Sequence, residues 1–501
     1  MVGGRRSGLI VASNRLPVVV APAANGDYTL TRGGGGLITA LLPVLRNRGG
    51  IWVGWPGICG EPPGLDRLLE SAGREAGYGL QAVTLNEDEE RKFYQGFSNE
   101  IVWPLFHDLH SLCTFDPSYW QTYQTVNRRY AEVLARNCTD GDFVWVHDYH
   151  LMNVAQELHA IGVHAKTAFF LHIPFPSVDI FTKLPWRFQV LHALLEYDLI
   201  GFQTLRDRRN FLDCVRHLMK DVTLHGRGQQ VVTVTGPSHQ VRVGNFPISI
   251  DFNDFVKRAA AAEVSARVQE LKALLPEHQL ILGVDRLDYT KGIPERLAAF
   301  RHALRHYPEL HERVTLIQVV VPSRADIPEY NSLKTQIEGL VGEINGEFTR
   351  PGGWVPIHYA YRNLTRLDLL AYYRTAQIAL VTPLKDGMNL VAKEYCACSI
   401  EEDSTLILSE FAGAAAELQR GALLVNPYDV EGVADAIYHA YAMPKRERRA
   451  RMRRLRRTIR EHDIFWWVDS FLRAAIAKDL SAFPAPRDYV PSTDEPELLP
   501  F

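Results

Sequence analysis

Short apolar runs recur along this chain, each followed by a stretch whose apolar residues fall at helical spacing. In the first half they occupy residues 9–13, 51–53, 80–84, 143–147, 168–172, 199–202 and 241–244. Such alternation of strand and helix argues for a parallel sheet with helices on both faces. The pattern passes through a proline at Asn245-Phe246-Pro247-Ile248, and a helical segment, 256–275, follows. A second series of strands then begins at Leu280 and continues at 315–321, 377–381, 405–409 and 422–425. A chain of 501 residues is too long for one ordinary core. The expected fold is therefore α/β with two Rossmann-like domains, 1–247 and 248–464. No internal sequence repeat and no low-complexity linker is visible.

Composition removes several classes of function. Hydrophobic residues at 46% and charged residues at 23% suit a soluble globular enzyme. A net charge of −3 supplies no field to recruit nucleic acid. Residues 445–460 are strongly basic, but Met452, Leu455 and Ile459 give them one apolar helical face, so a solvated packing helix is expected rather than a polyanion site. Six cysteines without a paired framework point to a reducing compartment, and the spacing of Cys396 and Cys398 suits core packing. Arg5-Arg6 before an apolar run imitates a secretory signal, but Asn14-Arg15 interrupts it early. No run is long enough to span a bilayer, and a cytoplasmic location with no membrane partner is expected.

Two strand ends carry the chemistry. The apolar run 377–381 leads through Thr382-Pro383-Leu384-Lys385 to a tight loop at Asp386-Gly387, and a helix is expected from near Met388 with Glu394 about two turns in. Strand, glycine loop and helix N-terminus offer free backbone N–H groups, a positive dipole end and fixed carboxylates, which suit sugars and riboses. The run 279–284 leads to Asp285-Arg286-Leu287-Asp288-Tyr289-Thr290-Lys291-Gly292. Arg286 and Lys291 suit a diphosphate, one as a planar fork and one as a point charge. Arg286 could instead pair with Asp285 or Asp288. Taken together, the two corners favour a nucleotide diphosphate carrying a sugar. Gly33 to Gly36 lack the dinucleotide spacing but permit close backbone approach at a helix N-terminus.

Six fragments in order resemble the trehalose-6-phosphate synthase family of retaining glycosyltransferases. They are Ser13-Asn14-Arg15-Leu16-Pro17, Trp52-Val53-Gly54-Trp55, Trp145 to Leu151, His172-Ile173-Pro174-Phe175-Pro176, Val284 to Gly292 and Asp386 to Glu394, and the likeness runs from about residue 8 to residue 470. The resemblance implies the GT-B fold, with the active site in the interdomain cleft. It also implies a last helix at 465–482 that crosses back onto the first domain. The proline- and acid-rich residues 483–501 read as a loose tail.

On the donor side the resemblance implies backbone contacts from Gly35 and Gly36, and a glucose 6-hydroxyl contact from His172. Arg286 and Lys291 would hold the diphosphate, and Asp386, beside the Gly387, Met388 and Asn389 backbone, the glucose hydroxyls. Leu390 and Val391 would give backbone N–H groups, and Glu394 would accept both ribose hydroxyls. A base contact near Asn363 or Leu364 is expected without a fixed register. On the acceptor side Arg15 and Arg324 match the phosphate pair and Tyr94 a phenol donor. Trp103, Asp148 and Trp55 would line the acceptor sugar. No protein nucleophile, metal or cofactor is implied; Asp148, His172, Arg286, Lys291 and Asp386 are the expected catalytic set.

The expected reaction joins a nucleoside diphosphate glucose (UDP, ADP or GDP) to glucose 6-phosphate, giving trehalose 6-phosphate. A separate trehalose-6-phosphate phosphatase would act downstream, and the enzyme would be a homo-oligomer. The alternatives are another phosphorylated acceptor, as in glucosylglycerol-phosphate synthases, or a catalytically silent sugar-phosphate sensor.

Overall fold

In the computed structural model the apolar runs of the first half become strands β1 (Leu9–Arg15), β4 (Ile51–Trp55), β5 (Gly79–Ala82), β6 (Phe143–His147), β7 (Lys166–Phe170), β8 (Leu199–Phe202) and β11 (Gln240–Asn245). Residues 8–476 are described, apart from 23–27, 34–37, 39–40, 43–44, 46–48, 140, 227–228, 238, 275–277, 324–327 and 350–352. The strands lie in the order β5-β4-β1-β6-β7-β8-β11, all parallel to their neighbours. Most of their residues are buried, as a sheet packed on both faces requires.

The sheet is not wholly parallel, which corrects the sequence expectation. Two further strands, β9 (Thr223–His225) and β10 (Val231–Thr235), add to its edge with antiparallel pairing to β11. A short connection suffices for such neighbours, whereas parallel ones need a crossover. A separate antiparallel hairpin, β2 (Val18–Pro22) with β3 (Tyr28–Arg32), was also not read from the sequence.

The later strands are β12 (Gln279–Arg286), β13 (Val314–Val321), β14 (Ile357–Tyr361), β15 (Ile378–Val381), β16 (Thr405–Ser409) and β17 (Leu423–Val425). They form a parallel sheet in the order β14-β13-β12-β15-β16-β17. β13, Val-Thr-Leu-Ile-Gln-Val-Val-Val, is mostly β-branched, which favours an extended, fully packed strand. The helix expected over 256–275 is instead two helices, Phe252–Ala259 and Ala262–Leu274. Asp251 caps the first, its side chain accepting from the Asp254 amide.

Two compact units result, one of residues up to 248 with 464–476, the other of 249–463. In the first unit the helix Ile464–Ile476 packs under the sheet: Phe471 stacks on Trp145 at 4.5 Å and Trp467 lies 5.0 Å from the same ring. The indole N–H of Trp467 donates to the Phe246 carbonyl at 3.1 Å. The tail expected from residue 483 lies outside the described residues. Among the described residues no helix is long and apolar enough to cross a membrane.

Numbered by succession within its own sheet, and setting aside the β2–β3 hairpin, each unit runs 3-2-1-4-5-6 through its first six strands. This is the doubly wound order, whose direction reverses between strands 1 and 4, and ligands bind beyond the strand ends at that point. The two positions are β1/β6 in the first unit and β12/β15 in the second.

Candidate active site

Both corners identified from the sequence meet at the switch point of the second unit. Arg286 ends β12, and Lys291 closes a short 3₁₀ turn, Tyr289–Lys291, five residues on. Asp386 follows β15. The Leu384 amide donates to the Thr290 carbonyl at 2.8 Å, joining the two loops through their backbones. Gly292 is needed there: its φ is +62°, and a Cβ would meet the Thr382 carbonyl at 2.4 Å. Lys291 Nζ donates to Asp386 Oδ2 at 2.6 Å, and Asn389 Nδ2 reaches the same oxygen at 3.2 Å. The proposed diphosphate cation and the proposed sugar carboxylate thus contact each other directly. A diphosphate must compete with Asp386 for Lys291.

A third loop, after β16, completes the corner and was not anticipated. The Gly413 amide donates to the Asp386 carbonyl at 3.1 Å and the Ala414 amide to the Met388 carbonyl at 2.8 Å. A Cβ on Gly413 would come within 1.9 Å of the Gly387 carbonyl oxygen. Small residues in Ala412-Gly413-Ala414 are the only sequence signal for so close an approach.

The helix begins at Leu390, not near Met388, because Asn389 is its N-cap at φ 78° and accepts from the Ala392 amide at 3.2 Å. Leu390 and Val391 therefore occupy the first two helical positions, whose N–H groups have no acceptor within the helix. Glu394 sits a little over one turn in, rather than two. Tyr373, on the helix Arg366–Thr375, donates its hydroxyl to Glu394 Oε2 at 2.9 Å. Burial pushes the Glu394 carboxyl up to about 7, against the opposing pull of the Tyr373 hydrogen bond and of Arg366. At the far end Arg456, buried on the basic helix Lys445–Glu461, donates to the Cys396 and Ala397 carbonyls at 2.9 and 2.5 Å. A cation at a helix C-terminus satisfies orphan carbonyls and complements the dipole. Lys445, Arg448 and Arg453 of the same helix pair with Asp403 or Glu402, so part of that charge is consumed internally. Asn363 and Leu364 lie between β14 and Thr365, the N-cap of the Arg366–Thr375 helix.

Sequence reasoning also missed Arg296, which holds this corner from beneath. Its guanidinium donates to Asp285 at 2.6 Å, Gln318 at 3.2 Å, the Thr382 hydroxyl at 3.0 Å and the Lys291 carbonyl at 3.4 Å. One planar cation therefore ties the loop after β12 to the start of the loop after β15. Asp285 is engaged with Arg296, and Asp288 caps its own turn through the Thr290 amide and hydroxyl. The available signal was an arginine on the apolar stripe Ile293, Leu297, Phe300, Leu304, since a charge on a buried face must have partners.

Arg15, Trp55, Tyr94, Trp103 and Asp148, of the expected acceptor residues, lie in the first unit, with Arg15 and Asp148 at the ends of β1 and β6, the strands of its switch point. Arg15 ends β1, and its guanidinium lies over the Trp55 ring at 3.8 Å and faces Tyr94 at 5.3 Å. Of the two tryptophans flanking Gly54, Trp55 meets Arg15, whereas Trp52 is buried and donates to Ser13 Oγ at 2.8 Å. Tyr94 lies on a π-helix, Glu90–Val102, and stacks on His150 at 5.9 Å. Such wide helices often mark functional positions. Trp103 starts the next helical turn and is buried against His107 at 4.3 Å and Tyr149 at 5.9 Å, so little of its indole face is open.

Asp148 follows β6 with φ 75°, an uncommon conformation for a residue other than glycine. Its Oδ1 accepts from the His172 amide at 3.2 Å, and its own amide donates to the Phe170 carbonyl at 2.8 Å. His172 lies two residues beyond β7, so the strand stops short of the expected end. Its Nε2 is 3.1 Å from Nδ1 of His147. Burial pushes His172 down to about 3 and His147 well below the usual imidazole range, so both rings are neutral. Gly35, Gly36 and Arg324 lie outside the described residues.

Known proteins resemble the chain over nearly its whole length. The profile described as Glycosyltransferase family 20 matches residues 7–477. A trehalose-6-phosphate synthase from Mycobacterium leprae is 43% identical over 472 residues, covering 93% of this chain and 94% of that one. A crystal structure of an alpha,alpha-trehalose-phosphate synthase (UDP-forming) from Burkholderia xenovorans, in complex with glucose-6-phosphate, matches with a TM-score of 0.83 at 36% identity, covering 94% of this chain and 99% of that one. A trehalose-6-phosphate synthase studied for glycosyltransfer with retention, using bisubstrate glycomimetics, matches with a TM-score of 0.82 at 36% identity, covering 94% and 99%.

Proposed function

The chain belongs to glycosyltransferase family 20, and from that membership we propose that it makes trehalose 6-phosphate from a nucleoside diphosphate glucose and glucose 6-phosphate, with retention at the transferred glucose. UDP-glucose is the proposed donor, as the similar Burkholderia enzyme is UDP-forming. The observation that carries the reading is the second unit's corner, where Lys291 and Asp386 pair at the strand switch and the loop of Asp386 runs directly into the helix N-terminus at Leu390 and Val391, with Glu394 in its second turn. Arg286 and Lys291 take the diphosphate, and the Leu390 and Val391 amides share its charge. Asp386 takes glucose hydroxyls and Glu394 the ribose hydroxyls. In the first unit Arg15 takes the acceptor phosphate, with Tyr94 as a donor. Trp55, Trp103 and Asp148 border the acceptor sugar, and His172 contacts the donor glucose.

No side chain acts as nucleophile in this reading. The anomeric hydroxyl of glucose 6-phosphate attacks C1 of the donor glucose from the face the diphosphate leaves. The C1–O bond to phosphate breaks, and the departing phosphate oxygen takes the hydroxyl proton. Catalysis is then positioning and charge stabilisation at the leaving group.

A product assay tests this, crossing UDP-, ADP- and GDP-glucose with glucose 6-phosphate, free glucose and glycerol 3-phosphate. Trehalose 6-phosphate with an α-configured transferred glucose, by proton NMR, is expected from UDP-glucose. A β-linked product overturns the mechanism, and preference for glycerol 3-phosphate overturns the acceptor.

A further inference from the structure

A row of hydrogen bonds crosses the C-terminal ends of four adjacent strands in the first unit, β6, β7, β8 and β11, in that order. His147 is the last residue of β6, His172 lies two past β7, Gln203 one past β8 and Ile248 three past β11. The Ile248 amide donates to Gln203 Oε1 at 2.9 Å. Gln203 Nε2 lies 3.4 Å from His172 Nδ1, and His172 Nε2 lies 3.1 Å from His147 Nδ1. The far nitrogen of His147, Nε2, is buried with no protein partner among the described residues.

The backbone sets the direction of this row. An amide N–H can only donate, so the atom of Gln203 facing Ile248 is its oxygen, and the atom facing His172 is its NH₂ group. That group donates to Nδ1 of His172, which must be a bare acceptor. The single proton of the neutral ring is then on Nε2, where it donates to Nδ1 of His147. His147 in turn carries its proton on Nε2. Each position in the row is fixed by its neighbour, beginning from a peptide group that cannot reverse.

We propose that Gln203 is a positioning residue that, through its fixed amide, holds His172 in the Nε2–H tautomer and so fixes the orientation of a ring whose two nitrogens are both engaged within the row. The consequence for catalysis rests on the reading of His172 as a donor-glucose contact; the tautomer itself does not. Gln203→Glu keeps an oxygen for Ile248 but replaces the donor by a carboxylate that can only accept. His172 must then carry a proton on Nδ1, and its Nε2 becomes the bare acceptor facing His147.

The test is long-range proton–nitrogen NMR on the full-length protein labelled with ¹⁵N-histidine, with His147 and His172 assigned by single replacements. The wild type is expected to show both rings neutral and protonated at Nε2. In Gln203→Glu the His172 signals move to a form protonated at Nδ1. The kcat should fall ~10–100-fold, by analogy with the loss of a group that orients a metal-bound imidazole, with KM for glucose 6-phosphate and the melting temperature little changed. A wild-type His172 protonated at Nδ1 overturns the proposal, as does a His172 spectrum indifferent to Gln203→Glu. If that variant does not fold, the wild-type spectrum decides. A tautomer that moves while kcat stays constant upholds the relay and overturns the assigned role of His172 in the reaction.

Discussion

The two units share one strand order and place functional groups at the same switch point, yet they hold those groups by opposite means. In the second unit the cation Lys291 is neutralised by Asp386, three loops are joined through backbone hydrogen bonds, and a buried arginine braces them from below. In the first, Arg15 lies against the faces of Trp55 and Tyr94, and burial holds His147 and His172, at the ends of β6 and β7, towards their neutral forms. A leaving diphosphate needs fixed charge where negative charge develops, and charge held in a partly buried site must be tied down by partners. An arriving sugar phosphate needs shape and a cation that no carboxylate contests. The second corner should therefore respond steeply and non-additively to substitution, and the first mildly.

Lys291→Ala gives the largest expected effect. On the proposed reading it removes a charge from the leaving group, and it breaks the ion pair with Asp386, so kcat should fall ~10²–10³-fold with weaker nucleotide binding and an intact fold. Adding Asp386→Ala should cost far less than in the wild-type background, because the two side chains form one unit. Additive losses, read from a double-mutant cycle of turnover, would remove the claimed coupling.

Gly413→Ala comes next. With the Gly387 carbonyl 1.9 Å from the added carbon, the Asp386–Met388 backbone must move. A stability loss of ~1–3 kcal/mol and weaker nucleotide binding are expected by thermal melting and titration calorimetry. Gly339→Ala serves as the control, since nothing lies within 4 Å of the position.

The third prediction concerns pH. In the proposed function ribose hydroxyls donate to an ionised Glu394, and on that reading nucleotide-sugar affinity should fall as pH drops through about 7, with a limiting slope of about tenfold per unit. For folding the sign is opposite. The native carboxyl binds its proton more tightly than an ordinary glutamate at 4.5, so its contribution to stability is full below 4.5 and is lost as pH rises towards about 7. Glu394→Gln should flatten both profiles. An unchanged affinity profile in that variant would place the titrating group elsewhere.

The smallest effect is expected in the first unit. Arg15→Lys keeps the charge but weakens the contact with Trp55 and Tyr94. KM for glucose 6-phosphate should rise ~2–5-fold, corresponding to ~0.5–1 kcal/mol, with nucleotide affinity unchanged. A loss as large as that of Lys291→Ala would erase the contrast between the two regions.

The primary structure by itself determined the strand-and-helix alternation, the two-part division and the two corners carrying Arg286, Lys291, Asp386 and Glu394. These signals are local: apolar runs, loop glycines and charges at strand ends depend on neighbours a few residues away. Whatever depends on residues distant in the chain was decided by the tertiary structure. The edge strands β9 and β10 are short, and their antiparallel pairing depends on which strand they meet. The shared strand order of the two units leaves no sequence repeat, because topology constrains burial and connection rather than residue identity. Arg296 is an ordinary helical arginine until the fold encloses it between two loops. Gly413 acquires its close contact only when a third loop meets Gly387. Gln203 carries no motif, and its amide acquires a direction only because folding brings the Ile248 N–H, 45 residues later, against its oxygen.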